Sequence, residues 1–180
     1  MGCFNYYYKE PTMGITISLA TPTDAYDMAE IHTRSWEAAY KDIIPPDFIR
    51  EKNTTRPALW QKILTSENTS QYVIRKDGKT VGLMGLNRPN DDDLGDNFYE
   101  LQAIYLHPDY FRQGVGTLAM NFAFDKARSL CKTDIVVWVL EENLAAIKFY
   151  QKFGFAADGK TKEVNYGRTL KLIRMRLRLI

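Results

Sequence analysis

The sequence predicts a single α/β domain, in which helices pack on a mixed β-sheet. Apolar residues recur at helical spacing in some segments and at strand spacing in others. The pair Asp77-Gly78 joins two apolar runs and indicates a tight hairpin. The 180 residues are 45% hydrophobic and 26% charged, which is typical of globular proteins. The net charge of +2 is too small to indicate nucleic acid or a membrane as partner.

The N-terminal half begins with a tail and a strand. Residues 1–13 show no periodicity and are treated as a tail, disordered or non-native, so the predicted domain covers residues 14–180. Residues 15–20 predict a strand, and the following Thr-Pro-Thr-Asp has the chemistry of a helix cap. One buried face of the next helix is predicted from residues at helical spacing: Met28, Ile31, Ser35, Trp36, Ala39 and Tyr40.

Further elements follow with clear boundaries. Pro45-Pro46 starts a short second helix, a further helix lies around residues 58–64, and the hairpin strands are residues 71–76 and 79–87. The rest reads as a strand (98–107), a loop (108–113), a helix (115–130), a strand buried on both faces (134–140), a helix (143–153) and a final strand (170–180). The predicted order is β-α-α-β-β-β-α-β-α-β-β.

Gly114 and Gly116 open a helix directly after a strand and loop. Glycines there let an anion approach main-chain N–H groups, and the helix dipole adds partial positive charge, so the segment predicts a pyrophosphate site. No P-loop string is present. The pattern Gly114-x-Gly116-x-x-Ala119 matches the dinucleotide fingerprint, but the loop 107–113 separates its first glycine from the strand. A helix start that merely needs flexible residues is the alternative.

A second segment, Asn143-Leu-Ala-Ala-Ile-Lys-Phe-Tyr150-Gln-Lys-Phe-Gly154-Phe155, follows the most apolar strand. With the glycine segment, it resembles the signatures of the GNAT superfamily of acetyltransferases, including the Asn-x-x-Ala-x-x-x-Tyr-x-x-x-Gly-Phe helix at every position. The resemblance implies a mixed, mostly antiparallel twisted sheet of about seven strands, about four helices and a splayed central strand pair. The family usually has Gln or Arg where this chain has Phe111.

The resemblance also implies which residues bind acetyl-CoA. The pantetheine arm would enter the splayed pair, where the N–H of Ile104 would polarise the thioester carbonyl. Asn143 would bind pantetheine. The implied cofactor-binding set is Ile104, Tyr105, Leu106, Phe111, Arg112, Gln113, Gly114, Val115, Gly116, Thr117, Asn143, Ala146 and Tyr150. No metal is implied.

Two residues are implied as catalytic. Tyr150 would protonate the departing thiolate; the alternative is a core aromatic with a bonded hydroxyl. Glu100, eleven residues before Phe111, would accept the proton of the amine; the alternative is a solvated carboxylate or a water chain. We also expect Gln102 and Ile104 to share the strand face of Glu100, because side chains alternate.

Three further groups of polar residues each allow two interpretations. The acidic run Asp91-Asp92-Asp93, with Asp96, would attract a cationic amine or simply be solvated. His32 and Arg34 would line the acceptor pocket or belong to the core. The final strand carries a basic stripe that would meet phosphate or an acidic protein, or form a solvated face: Arg174, Arg176 and Arg178.

The sequence thus predicts an N-acetyltransferase that moves acetyl from acetyl-CoA to a primary amine, on a small molecule or a peptide, by direct attack. Neither cysteine has a visible His partner, so an acyl-enzyme has no support. The alternatives are another acyl donor, a non-catalytic CoA-binding sensor, and a nucleotide-binding protein. No secretory signal is visible, so a cytoplasmic location is expected, and a homodimer is compatible with the sequence.

Overall fold

The computed structural model describes residues 14–66 and 70–179, so the predicted tail 1–13 lies outside the described residues. Within these ranges, seven strands and four helices follow one another in the predicted order. They are β1 (Ile15–Leu19), α1 (Ala25–Tyr40), α2 (Pro46–Thr65), β2 (Gln71–Lys76), β3 (Lys79–Asn87), β4 (Phe98–Leu106), α3 (Val115–Ser129), β5 (Asp134–Leu140), α4 (Leu144–Gln151), β6 (Ala156–Asn165) and β7 (Thr169–Arg178).

The strands form one sheet with the order β1-β2-β3-β4-β5-β7-β6. Every neighbouring pair is antiparallel except β4 and β5, which are parallel. The helix α3 makes the crossover that a parallel pair requires. The predicted mixed, mostly antiparallel sheet is confirmed.

The parallel pair is joined only at its beginning. The register runs from Phe98 opposite Asp134 to Glu100 opposite Val136 and then stops, although both strands continue. β4 stays paired with β3 as far as Leu106, and β5 stays paired with β7 along its whole length. The two strands therefore separate beyond Glu100 and leave a V-shaped gap, as the resemblance implied. We call this gap the strand cleft.

A β-bulge interrupts β4 at the start of the strand cleft. Leu101 lies opposite Leu86 and Ala103 opposite Gly85, so Gln102 is an extra residue without its own partner on β3. The extra residue breaks the side-chain alternation, and Ile104 packs in the same core cluster as Leu101. The prediction that Gln102 and Ile104 share the face of Glu100 is therefore wrong for Ile104.

Each sheet face is covered by one pair of helices. The helices α3 and α4 contribute Val115, Met120 and Tyr150 to a cluster with Ile135 and Val137 of β5. On the opposite face, α1 and α2 bury their apolar stripes against β2 and β3. The predicted inner face of α1 is confirmed for Met28, Ile31 and Ser35, whereas Ala39 is exposed.

The second helix differs from the prediction. Pro57 favours a break between a short helix and a further one, but α2 is continuous over 20 residues and contains this proline in its interior. Arg56 and Trp60, on either side of Pro57, are both buried. Their packing against α1 outweighs the local preference of proline to end a helix.

Candidate active site

The glycine segment forms an open helix start at the wide end of the strand cleft. Gly114 precedes α3 with a φ of +81°, a conformation that favours glycine. Leu118 is the first residue whose N–H bonds back, to the carbonyl of Gly114. The N–H groups of Val115, Gly116 and Thr117 therefore have no acceptor within the helix. Because Gly114 is exposed, this end can receive an anion.

Gly116 brings this helix start close to the strand cleft. A side chain at this position would begin 3.2 Å from the ring of Phe149 and 3.6 Å from Leu106. Phe149 belongs to α4 and Leu106 ends β4, so glycine lets three elements meet. The close approach of helices explains Gly116 better than backbone flexibility alone.

The loop before the helix carries one basic contact that the sequence analysis missed. Lys76 Nζ, from the end of β2, lies 3.0 Å from Gln113 Oε1 and 5.8 Å from the ring centroid of Tyr110. Phe111 is 42% exposed and therefore open to a ligand, as is Arg112, which adopts a φ of +58°. Lys76 belongs to the hairpin and is 37 positions from Gln113, so no local sequence pattern indicates that the two residues meet.

Asn143 performs a structural task at the start of α4. Its side-chain oxygen accepts a hydrogen bond of 3.1 Å from the N–H of Ala146, which makes it the N-cap. The residue is buried, and its side chain also faces Tyr40 on α1. The presence of Asn143 and Ala146 in the family pattern is thus explained partly by their hydrogen bond, which caps α4.

Tyr150 lies on the face of α4 that turns toward the sheet. It is 7% exposed and packs against Phe149 and Phe155 at ring-centroid distances of 5.5 and 5.7 Å. Burial raises the pKa of its phenol, and the nearby Tyr105 raises it further. Tyr150 therefore carries its proton throughout the physiological range. Tyr150 and Tyr105 of β4 are close enough for Tyr105 to influence the Tyr150 phenol electrostatically.

Aromatic side chains of α1 continue this surface on the other side of Tyr105. His32 stacks on Tyr105 at 4.5 Å, and its Nδ1 accepts a hydrogen bond of 3.2 Å from Trp60 Nε1. Burial, aided by Arg56, lowers the pKa of His32 from 6.5 to about 3, so the imidazole is neutral. The indole N–H of Trp36 faces the Tyr105 hydroxyl without reaching hydrogen-bonding geometry.

Arg34 does not join this aromatic surface. It is exposed, pairs with Glu37 at 3.9 Å, and lines a separate groove of about 370 Å³ between α1 and α2. Of the two α1 residues predicted to line the acceptor pocket, His32 turns toward the sheet and Arg34 does not.

Glu100 lies at the closed end of the strand cleft, where β4 and β5 part. Burial raises the pKa of its carboxyl, Asp91 raises it further, and the positive charge of Lys162 lowers it. Both neighbours also contact Trp138 of β5: Asp91 accepts a hydrogen bond of 3.0 Å from its Nε1, and Lys162 Nζ lies 4.0 Å from its ring centroid. We call Glu100, Asp91, Trp138 and Lys162 the polar wall. The sequence analysis missed Trp138 and Lys162.

The acidic loop and the basic stripe bind each other. Arg174 is 3% exposed and donates two hydrogen bonds of 2.8 Å to Asp93 and one of 2.7 Å to Asp158. Asp96 pairs with Arg88 at 2.8 Å. The interpretation of the basic stripe as solvated is wrong for Arg174, and ion pairs neutralise much of the negative charge at the predicted acceptor mouth. The charge that this surface presents therefore depends on ion pairs between residues that are far apart in the sequence.

Over residues 14–66 and 70–179, no three His, Cys, Asp or Glu side chains cluster as a metal site. Within the same ranges, no helix combines the length and the apolar character of a membrane span.

Comparison with known proteins agrees with this geometry. The chain is 25% identical over 154 residues to a probable N-acetyltransferase, Rv2775, of Mycobacterium tuberculosis. The alignment covers 82% of this chain and 83% of that protein. It is 30% identical over 79 residues to the L-amino acid N-acyltransferase MnaT of Escherichia coli, covering 43% of this chain and 46% of that protein.

Two solved structures share the fold. PaiA N-acetyltransferase from Thermoplasma acidophilum, in complex with coenzyme A, has a TM-score of 0.72 at 20% identity and covers 92% of this chain and 99% of that one. YncA from Salmonella typhimurium, with its cofactor acetyl-CoA, has a TM-score of 0.63 at 22% identity. The match covers 93% of this chain and 95% of that one. Residues 26–155 match the Acetyltransferase (GNAT) family, so the chain belongs to that family of N-acetyltransferases.

Proposed function

We propose that this protein transfers an acetyl group from acetyl-CoA to a primary amine, by direct attack of the amine on the thioester. The observation that carries the proposal is the strand cleft, which has an anion-binding helix start at its wide end and a protonated tyrosine on its flank. A pantetheine arm is long and amide-bearing, so it fits a gap between two strands that have unpaired main-chain groups.

The described residues fit acetyl-CoA in three places. The N–H groups that begin α3, with the loop from Phe111 to Thr117, would bind the pyrophosphate. The free edge of β4 from Ile104 to Leu106 would bind the pantetheine amides, and Asn143 and Ala146 would lie beside the arm at the start of α4. That PaiA and YncA were solved with coenzyme A and acetyl-CoA supports this assignment.

The thioester supplies an activated carbonyl, and this chain supplies polarisation and proton transfer. The N–H of Ile104 would donate to the carbonyl oxygen, an interaction worth about 2.7–4 kcal/mol at oxyanion sites. Tyr150 remains protonated, so its phenol would be available to donate a proton as the thiolate departs. Glu100 would take the proton of the attacking amine, which must be neutral to react.

Direct attack is favoured over an acyl-enzyme by the position of the described cysteine. Cys131 follows the C-terminal end of α3, whereas the proposed pyrophosphate site lies at the other end of the same helix. A 15-residue α-helix is about 22 Å long, so the sulfur of Cys131 is far from the reacting carbonyl.

Ligand-dependent thermal stability tests the proposal. At about 100 times its Kd, acetyl-CoA should stabilise the protein by about 2.7 kcal/mol, which raises Tm by about 5–10 °C for a chain of this size. NAD and ATP at the same concentration should raise Tm far less. A larger shift with either nucleotide would contradict the proposal, and release of thiol with a panel of amines would establish turnover.

The pH dependence of turnover tests Glu100. Since Asp91 raises the pKa of Glu100, Asp91→Asn should lower that pKa and move the acid limb of kcat/KM to lower pH. Glu100→Gln should lower kcat/KM by about 10²-fold or more, because a general base contributes at least that factor. Asp92→Asn, on the exposed neighbour of Asp91, is the matched control and should leave the acid limb in place. An unchanged profile in Asp91→Asn would remove Glu100 from the reaction.

A further inference from the structure

One lysine of this protein lies beside Glu100, the residue proposed to deprotonate the acceptor amine. Lys162 lies on the edge strand β6, and its Cα is paired with Leu172 of β7. Its side chain nevertheless extends across β7 to β5, because its ammonium lies 4.0 Å from the ring centroid of Trp138. Lys162 is exposed, as edge-strand lysines commonly are, but its ammonium lies over the Trp138 ring instead of pointing away from the sheet.

The position of Trp138 relates this lysine to the strand cleft. Val136 is the last residue of β5 paired with β4, and Trp138 is the next residue on the same face. Its indole is held by the hydrogen bond to Asp91. The ring is therefore fixed beside the point where the cleft opens, near Glu100 of β4.

The surroundings of Lys162 also attract an alkyl ammonium group. An indole face binds a cation by about 0.5–2 kcal/mol. Glu100 and Asp91 carry negative charge on the same side, where Arg174 also pairs with Asp91 at 3.8 Å, and Lys162 interacts with Glu100 electrostatically. These are the contacts that an external lysine-like amine would need in order to be bound and then deprotonated.

We propose that Lys162 is a site of self-acetylation, in which its own Nζ serves as the acceptor. This inference rests on the proposed function. The amine forms a bond to the thioester carbonyl carbon, the carbon–sulfur bond breaks, and its electron pair leaves on sulfur. Of the two protons that the ammonium loses, one reaches the thiol through Tyr150 and the other reaches solvent through Glu100. The products are acetyl-Lys162 and coenzyme A.

Neighbouring lysines provide matched controls within the same protein. Lys160 is on the same strand and pairs with Asp93 at 3.4 Å, and Lys171 on β7 pairs with Glu141 at 3.0 Å. Their side chains are 57% and 47% exposed, so both are open to chemical acetylation by the reagent alone. Neither contacts the face of Trp138.

The experiment incubates the purified full chain with acetyl-CoA, without any acceptor, and maps acetylated lysines by mass spectrometry over time. We expect acetylation of Lys162 at least about 10-fold faster than of Lys160 and Lys171, with a rate constant that does not change with protein concentration. Tyr150→Phe should slow it about 10²-fold, which is the lower range for a general acid. Lys162→Arg should lose the modification while keeping a cation over the indole.

Two outcomes would overturn the inference. One is equal acetylation of all three lysines, or a rate at Lys162 that Tyr150→Phe leaves unchanged, since either indicates uncatalysed chemistry. The other is an unmodified Lys162 in a sample that releases thiol with the amine panel; this outcome rejects the inference and leaves the proposed function intact. No thiol release with any amine and no acetylation would reject both.

Discussion

Replacing Tyr150 by Phe is expected to lower kcat by about 10²-fold or more and to leave the affinity for acetyl-CoA nearly unchanged. The phenol is the protonated group that flanks the strand cleft, and loss of a general acid costs about 10²–10⁴-fold. The ring itself packs against Phe149 and Phe155, and phenylalanine keeps those contacts. Steady-state kinetics with a reactive amine, together with calorimetric titration of acetyl-CoA, would measure both quantities.

Tyr72→Phe is the matched control for this experiment. Tyr72 is also a buried tyrosine whose pKa burial raises, but it lies on β2 and packs against Phe122 of α3. Removal of the Tyr72 hydroxyl should leave kcat unchanged. An equal fall in kcat for both variants would mean that the effect of Tyr150 is structural. A wild-type protein that binds acetyl-CoA but turns over no amine would instead favour the CoA-binding sensor.

Replacing Arg174 by Leu should lower the free energy of unfolding by about 2–4 kcal/mol. This loss should be larger than that of other single substitutions in the loops or on the exposed sheet face. Removal of one partner of a buried ion pair typically costs 3–5 kcal/mol because the other charges remain. Here Asp158 is 17% exposed and Asp93 is 42% exposed, so water can compensate in part. Urea unfolding at neutral pH would measure the change in the free energy of unfolding.

Arg178→Leu, on the same strand, is the appropriate comparison for this variant. Arg178 is exposed, and exposed substitutions usually change stability by less than about 0.5 kcal/mol. Arg174→Lys should give an intermediate loss, because it keeps the charge but cannot form the two parallel hydrogen bonds to Asp93. If Arg174→Leu were as stable as Arg178→Leu, the ion pairs around Arg174 would not contribute to folding.

Features with a local cause were predictable from the sequence. Asp77-Gly78 marks the hairpin between β2 and β3, with φ values of +51° and +80° that this pair tolerates. Gly154 lies in the turn after α4 with a φ of +91°, and Gly114 precedes α3 in the same left-handed region. In each case a single residue type meets a demand of the adjacent backbone, so the pattern can be recognised without tertiary contacts.

Features that depend on distant contacts were not predictable. Arg174 meets Asp93 across 81 positions, and its alternation with apolar neighbours indicated only a wet strand face. Lys162 reaches Trp138 across an intervening strand. The extra residue at Gln102 changes which side chains face the polar wall, and no local signal marks a bulge. Pro57 remains inside α2 because residues on both sides are buried.

The short pairing of β4 with β5 has a mechanical consequence. Within the described residues, three residue pairs join one half of the sheet, β1 to β4, to the other half, β5 to β7. A change in the angle between the two halves about Glu100 and Val136 would therefore break few main-chain hydrogen bonds. Insertion of an extended chain would bridge the halves and make the sheet rigid.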